Sequence, residues 1–135
     1  MSYPLTALDG VDEHAVRLLK SAGVRTTGKL LEAAKDAKGR KAIAIRTGLD
    51  EKTLLRWANM ADRMRIKGLG ADYAALLREA GVETVRELKH RNAARLAQAM
   101  ADANAERKLV RFLPSEKAVS RWIEQAKTLP LKITY

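Results

Sequence analysis

The chain has 135 residues, of which 47% are hydrophobic, and a formal net charge of +10 at pH 7. These values predict one globular domain rather than a disordered segment, and the charge favours a polyanionic partner. Cysteine is absent, which excludes disulfides, thiol catalysis and cysteine-based metal sites and predicts a cytoplasmic location. No apolar run reaches the length of about eighteen residues that a membrane span needs, and MSYPLTALDG does not resemble a secretory signal.

The first half of the chain has the apolar periodicity of helices and no convincing strand pattern. Four helices are predicted there between residues that begin helices and residues that end them. They run from Asp12 to about Ala22, from Thr26 or Thr27 to Ala34, from the residue after Gly39 to Arg46, and from Asp50 to about Arg65.

The second half continues the helical pattern with five further predicted helices. They cover about Ala71 to Ala80, a short segment opened by the capping box Thr84-x-x-Glu87, a segment begun by Asn92, about Glu106 to Phe112, and Ser115 to Pro130. The tail that follows, residues 130–135, is predicted to be extended.

The chain also repeats itself. Residues 10–30 and 68–88 align at an offset of 58 with eight identities in twenty-one positions. A second similarity, at an offset of 65, relates the segment around Trp57 to the segment around Trp122. Because the two tryptophans occupy equivalent places on the inner faces of equivalent helices, we expect them to pack in the core rather than to stack on bases.

An internal repeat predicts a fold built from duplicated units. We therefore expect one all-α domain, residues 1–135, made of two pseudo-repeated helix-hairpin-helix halves that share one core. The halves are predicted at about 4–65 and 66–129, followed by the extended tail 130–135.

The turn between the predicted helices that end near Arg65 and begin near Ala71 carries the main functional signal. It reads Ile66-Lys67-Gly68-Leu69-Gly70, and a Gly-apolar-Gly turn between two helices makes a helix-hairpin-helix unit. Glycine permits backbone angles closed to other residues and lets the main chain approach a ligand, while Leu69 can pack into the core. The N–H groups at the start of the next helix favour an anion such as a DNA phosphate, a contact that reads no bases.

The residues after the turn strengthen this interpretation. The pattern Gly-Val-x-Thr-Val-x-x-Leu resembles the C-terminal domain of bacterial RNA polymerase alpha subunits and the N-terminal domains of recombinase-type ATPases. Over nearly its whole length the chain is similar to a bacterial family of unassigned function built from tandem helix-hairpin-helix motifs. The residues that carry this similarity are Ala61-Asp62 to Ile66, Gly68-Leu69-Gly70, Tyr73, Ala80-Gly81-Val82, Glu87-Leu88, Arg91-Asn92, Pro114 and Trp122-Ile123.

The resemblance implies a phosphate-binding hairpin but brings no established activity with it. It also raises the idea of a cation held by the carbonyl groups of residues 66–70, which we do not predict. Hairpins that bind DNA usually carry Lys or Arg just after the second glycine, whereas this chain has Ala71, Asp72 and Tyr73. In the first repeat the second glycine is replaced by Asp12, so that turn is interpreted as structural.

Basic residues near the turn can compensate for the missing cations. Arg65 and Lys67 flank the second hairpin, and Lys38, Arg40 and Lys41 lie in a basic stretch of the first half. With the main chain of Gly68, Leu69 and Gly70, they form the predicted nucleic-acid-binding set. Such contacts predict non-specific binding that weakens steeply with salt. The alternative for any one of them is a solvated helix surface.

Two functions remain open at this point. The first is a non-enzymatic module that binds the nucleic-acid phosphate backbone, duplex DNA above all, with little sequence preference. The second is a protein-interaction or scaffold module that uses the basic surface for an acidic partner. Catalysis has little support because His14 and His90 are isolated, and neither a cofactor nor a metal is predicted.

Overall fold

The computed structural model describes residues 2–135, and this part of the chain contains eight α-helices and no β-strand beyond an isolated antiparallel bridge between Pro4 and Thr26. A single turn of 3-10 helix at Leu5–Ala7 precedes them. The all-α class is therefore confirmed. The helices are α1 Glu13–Ser21, α2 Thr27–Ala33, α3 Ala37–Thr47, α4 Glu51–Arg63, α5 Gly70–Glu79, α6 Val85–Leu88, α7 Ala93–Glu106 and α8 Glu116–Thr128.

Most of these helices begin where a polar side chain caps the first turn. The capping oxygen accepts a hydrogen bond from the N–H group three residues further on, which satisfies a donor that has no partner inside the helix. The capping residues are Asp12, Thr26, Asp36, Thr84, Asn92 and Ser115. Five of these starts were predicted, and Asp36 was not.

The start of α3 corrects the prediction that this helix begins after Gly39. Asp36 Oδ1 accepts a hydrogen bond from Gly39 N at 2.7 Å, so the helix already begins at Ala37. The glycine allows a close approach, because a Cβ atom there would lie 2.0 Å from the carbonyl oxygen of Ala33. Gly39 therefore belongs to the first turn of the helix and does not precede it.

The predicted helix over residues 106–112 is also wrong. The helix α7 continues to Glu106, and the chain from there to α8 is irregular. The side chain of Asn104 explains the difference, because its Oδ1 accepts from Leu109 N at 2.9 Å and from Val110 N at 3.0 Å. Its Nδ2 donates to Val110 O at 3.1 Å. These bonds compete with helix formation and fix a loop instead.

The chain divides into two compact units. The first contains the described residues up to Arg65 together with Lys132–Tyr135. In it, α4 packs against α2 and α3, and α1 packs against α3. Its core includes the buried side chains of Leu5, Leu19, Leu30, Leu31, Ile43, Leu54, Trp57 and Met60.

The predicted extended tail is part of this first unit. Thr134 N donates to Lys35 O at 2.7 Å, and the tail carbonyl of Thr134 accepts from Arg40 Nη2 at 2.7 Å. Lys132 pairs with Glu32 at 3.4 Å. No partner for the tail is predicted from sequence, because these partners lie about a hundred residues away along the chain.

The second unit is Ile66–Leu131. Here α7 packs against α5 and α8, and α6 packs against α8. Its core includes the buried side chains of Leu69, Leu76, Leu77, Val82, Leu88, Leu96, Met100, Val119, Trp122 and Ile123. The core placement predicted for both tryptophans is confirmed, since Trp57 and Trp122 are each 4% exposed. Within residues 2–135, none of the helices combines the length and apolar character needed to cross a bilayer.

Candidate nucleic-acid interface

The turn before α5 combines buried apolar side chains with an exposed main chain. Ile66 is 1% and Leu69 is 2% exposed, so both side chains anchor the turn in the core. Between them, Lys67 and Gly68 are exposed. Leu69 N donates to Ile66 O at 3.2 Å, which closes the turn. Leu69 therefore packs into the core, and the exposed part of the turn is Lys67 and Gly68.

Both glycines of the turn need a conformation that favours glycine. The φ angle is +81° at Gly68 and +71° at Gly70, in the left-handed region that costs other L-residues about 1–2 kcal/mol. A Cβ atom on Gly70 would meet nothing within 4 Å, and one on Gly68 would lie 4.0 Å from Trp122 Nε1. Backbone angle, rather than crowding, therefore selects glycine at these two positions.

The side chain of Gln125, in α8, holds the turn from the other side. Its Oε1 accepts from Lys67 N at 3.0 Å, and its Nε2 donates to Lys67 O at 3.2 Å. Both main-chain polar groups of Lys67 are thus satisfied within the protein. A phosphate cannot use Lys67 N–H without displacing Gln125, so the N–H groups that follow it are the better candidates.

The first turn of α5 lacks a side-chain cap. Leu69 occupies the N-cap position, and no side chain there accepts a hydrogen bond from the helix. The first N–H groups of a helix have no intrahelical acceptor, and together with the helix dipole they favour an anion. Asp72 lies exposed in the same turn, and its negative charge opposes a phosphate.

The two predicted cations beside the turn differ in solvent exposure and in ion pairing. Lys67 is exposed and has no ion-pair partner among residues 2–135, so its ammonium group can reach an anion. The Arg65 side chain is only 16% exposed, and its Nη2 lies 2.5 Å from Asp62 Oδ1. Burial raises the pKa of Asp62, and the Arg65 guanidinium opposes that rise. Arg65 is thus already bound to a carboxylate, which weakens its case as a phosphate ligand.

The basic residues predicted in the first unit also differ in exposure. Lys38 and Lys41 are exposed on α3, where both can reach a partner. Arg40 is 5% exposed and donates to Ala34 O at 2.9 Å and to Thr134 O at 2.7 Å. Its predicted role as a surface cation is therefore corrected to a structural one, because its guanidinium joins the end of α2 to the tail. The exposed residue Ile45 lies on the same helix, with 77% of its surface in solvent.

Comparison with known families assigns the chain to a family but indicates no activity. A family described as a domain of unknown function, DUF4332, has a model that matches residues 9–129. The chain belongs to this family. No curated protein and no solved structure matches it. Because DUF4332 has no assigned function, the chemistry has to be argued from the residues of this chain.

One contributor to the site of this DUF4332 domain, Gln125, was missed from sequence. Gln125 holds the turn from 58 residues away, and a glutamine on a helix gives no local signal of such a role. The Tyr73 hydroxyl donates to Phe112 O at 2.7 Å, which brings an irregular segment next to α5. Arg111 lies over the Phe112 ring, 5.9 Å from its centroid. Within residues 2–135, no three His, Asp or Glu side chains lie close enough together to hold a metal ion.

Proposed function

We propose that this chain is a non-enzymatic helix-hairpin-helix module that binds the phosphate backbone of nucleic acid, duplex DNA above all, with little sequence preference. The observation that carries the proposal is a turn in which Gly68 is exposed and Gly70 half-buried, held by two buried apolar side chains and followed by a helix without a side-chain cap. The proposal includes a cytoplasmic location and a second, structural hairpin in the first repeat.

The main-chain N–H groups of Gly70 and Ala71 are the proposed phosphate donors. They belong to the first turn of α5, where neither a cap nor an intrahelical acceptor is available. Lys67 adds an exposed cation immediately before them. The net charge of +10 supports attraction to a polyanion over a longer range. Backbone contacts of this kind fix position and carry no sequence information.

Binding by one such turn is expected to be weak and salt-dependent. Non-specific complexes have dissociation constants of about 10⁻⁴ to 10⁻⁶ M, and each phosphate contact contributes about −0.9 to the slope of log K against log salt. The test is fluorescence anisotropy with a labelled duplex at about 50 mM and about 200 mM salt. Lys67→Glu is the test variant, and Lys20→Glu, an exposed lysine on α1, is its matched control.

Both variants change the net charge equally, so a difference between them reports the position of the charge. We expect Lys67→Glu to weaken binding several-fold more than Lys20→Glu. It should also reduce the magnitude of the slope of log K against log salt by about 0.9, the contribution of one phosphate contact. Equal weakening by the two variants would show that only overall charge matters. No binding of wild type at the lower salt concentration would remove the nucleic-acid function.

The exposed face of α3 supports a second candidate function, the docking of an acidic protein partner. Lys38, Lys41 and Ile45 are spaced so that they share one helix face, and all three are exposed. A large aliphatic side chain one helical turn beyond two lysines suits an acidic surface with an adjoining apolar patch. Asp72 also favours this candidate, because it opposes a phosphate at the turn.

The same titration separates the two functions. A Lys38→Ala/Lys41→Ala double variant leaves duplex binding within about twofold of wild type if the turn is the main site, since only the general charge term is lost. Arg40 is left unchanged in this variant because its substitution would disturb the tail. If the double variant abolishes binding while Lys67→Glu does not, the site lies on α3.

A further inference from the structure

The segment that links α7 to α8 exposes two adjacent apolar side chains to water. Phe112 is 74% exposed and Leu113 is 51% exposed. An exposed aromatic ring costs hydrophobic free energy unless a ligand covers it. The other aromatic rings of this unit are less accessible, because Trp122 is buried and Tyr73 is half-buried.

The exposed segment is held in place by hydrogen bonds. Asn104 makes three bonds to the main chain of Leu109 and Val110, between 2.9 and 3.1 Å long. The Tyr73 hydroxyl donates to the carbonyl oxygen of Phe112 at 2.7 Å. The Phe112 ring is thus presented from a fixed main chain, which lowers the conformational entropy that a ligand would have to remove.

Tyr73 also places this ring next to the candidate phosphate-binding turn. It lies three residues after Gly70, a rise of about 4.5 Å along α5. The Tyr73 ring packs on Trp122 with centroids 5.4 Å apart, and Trp122 in turn lies beside Gly68. The main chain of the turn and the main chain of Phe112 are therefore connected through two packed aromatic side chains, Trp122 and Tyr73. Nucleotides repeat every 3.4 Å or so along a strand, so one bound strand can span both features.

Charge complementarity indicates what covers the ring. The Arg111 guanidinium lies 5.9 Å from the centroid of the Phe112 ring. Lys108 and Arg111 are both exposed in the same segment, so the small apolar pair of Phe112 and Leu113 is accompanied by cations. Protein interfaces bury a wider apolar centre with few charges, whereas a base joined to a phosphate offers one flat ring and one negative charge.

We propose that Phe112 stacks on one unstacked base beside the phosphate-binding turn, and that the preferred ligand is duplex DNA interrupted by a single-nucleotide gap or an unpaired base. This inference rests on the proposed function of the turn and names its substrate class. One accessible ring serves one base, so a long single strand, which needs several stacking side chains in succession, is the poorer ligand. An intact duplex offers no free base face and engages the turn alone.

The test compares two labelled duplexes of the same sequence, one intact and one with a single-nucleotide gap, by fluorescence anisotropy at low salt. The variants are Phe112→Ala and Phe112→Trp, with Leu131→Ala as the control, since Leu131 is an apolar residue of the same unit that is 64% exposed. We expect wild type to bind the gapped duplex about 5- to 150-fold more tightly than the intact one. Phe112→Ala should lose this preference, whereas Phe112→Trp and Leu131→Ala should keep it.

The outcomes distinguish this inference from the function on which it rests. If wild type binds both duplexes equally, with the salt dependence described above, the turn binds phosphate and the stacking inference is overturned. If neither duplex binds, both the function and the inference are overturned. A Phe112→Ala variant that keeps the gap preference, or that changes only the sedimentation of the protein, would assign Phe112 to another role and would also overturn the inference.

Discussion

Gln125 and Lys67 are joined by two hydrogen bonds between the side-chain amide of Gln125 and the main-chain N–H and C=O groups of Lys67. Lys67 N donates to Gln125 Oε1 at 3.0 Å, and Gln125 Nε2 donates to Lys67 O at 3.2 Å. The pair links the turn before α5 to α8 without using the N–H groups of Gly68 or Gly70. The turn is therefore preorganised, and the groups proposed to bind phosphate remain free of this contact.

Replacing Gln125 by Ala is expected to loosen the turn. Loss of two partly exposed hydrogen bonds should lower the free energy of unfolding by about 1–2 kcal/mol and speed amide exchange at Lys67. Urea denaturation and hydrogen exchange measure these effects. Gln98→Ala is the control, because the Gln98 side chain bonds to Asp102 on an exposed helix face, and it should change stability by less than about 0.5 kcal/mol. Equal losses in the two variants would contradict this role for Gln125.

Replacing Gly70 by Ala is expected to strain the turn. Because φ is +71° and the space around a Cβ atom is open, the loss of about 1–2 kcal/mol should come from the backbone alone. Gly10→Ala is matched, with φ of +82° and open space, so it should cost as much stability. Only Gly70→Ala should also weaken duplex binding, which fluorescence anisotropy with a labelled duplex measures. If both variants bind the duplex equally well, the turn that contains Gly70 is not the binding site.

Local signals in the sequence predicted most of the helices and few of the contacts between them. Caps such as Asp12 and Ser115 were correctly identified because a cap and its target lie three residues apart. The helix expected over 106–112 failed because Asn104 offers the main chain a competing set of bonds. An asparagine within a helical pattern does not reveal that choice.

The errors at the candidate site have the same origin. Arg40 looked like one surface cation among several, yet it bonds to Thr134, 94 residues away. Gln125 was missed because its partner Lys67 is 58 residues away. The composition of the turn, by contrast, predicted that Leu69 would be buried, since an apolar residue between two glycines has only the core to pack against. The two-fold repeat and its hairpins stay predictions.

Arg40→Ala is expected to detach the tail from the first unit. The substitution leaves the carbonyl groups of Ala34 and Thr134 without their charged donor, which should cost about 3 kcal/mol. Exchange of the Thr134 amide, which bonds to Lys35 O, should rise in parallel. Lys41→Ala, an exposed neighbour, should change stability by less than about 0.5 kcal/mol. If Arg40→Ala is as stable as Lys41→Ala, Arg40 does not hold the tail and its structural role is contradicted.

The tail also gives the first unit a specific pH response. The hydrogen bond and charge of Lys132, with the charge of Lys35, hold the pKa of Glu32 below its ordinary value of 4.5. A depressed carboxyl pKa contributes stability above pH 4.5, and this contribution is lost as the pH falls through the lowered pKa. An NMR titration of the Glu32 carboxyl should show a midpoint below 4.5. Lys132→Ala should move the midpoint upward, and an unchanged midpoint would show that the pair does not form in solution.

The proposed function depends on main-chain N–H groups at the start of α5 that are free to bind phosphate. The most direct measurement is an NMR titration of ¹⁵N-labelled protein with a short intact duplex at low salt, followed through the backbone amide signals. We expect the largest shifts at Gly68, Gly70 and Ala71, and their disappearance as salt is raised. Shifts confined to Lys38, Lys41 and their neighbours on α3, with the turn unchanged, would contradict this account.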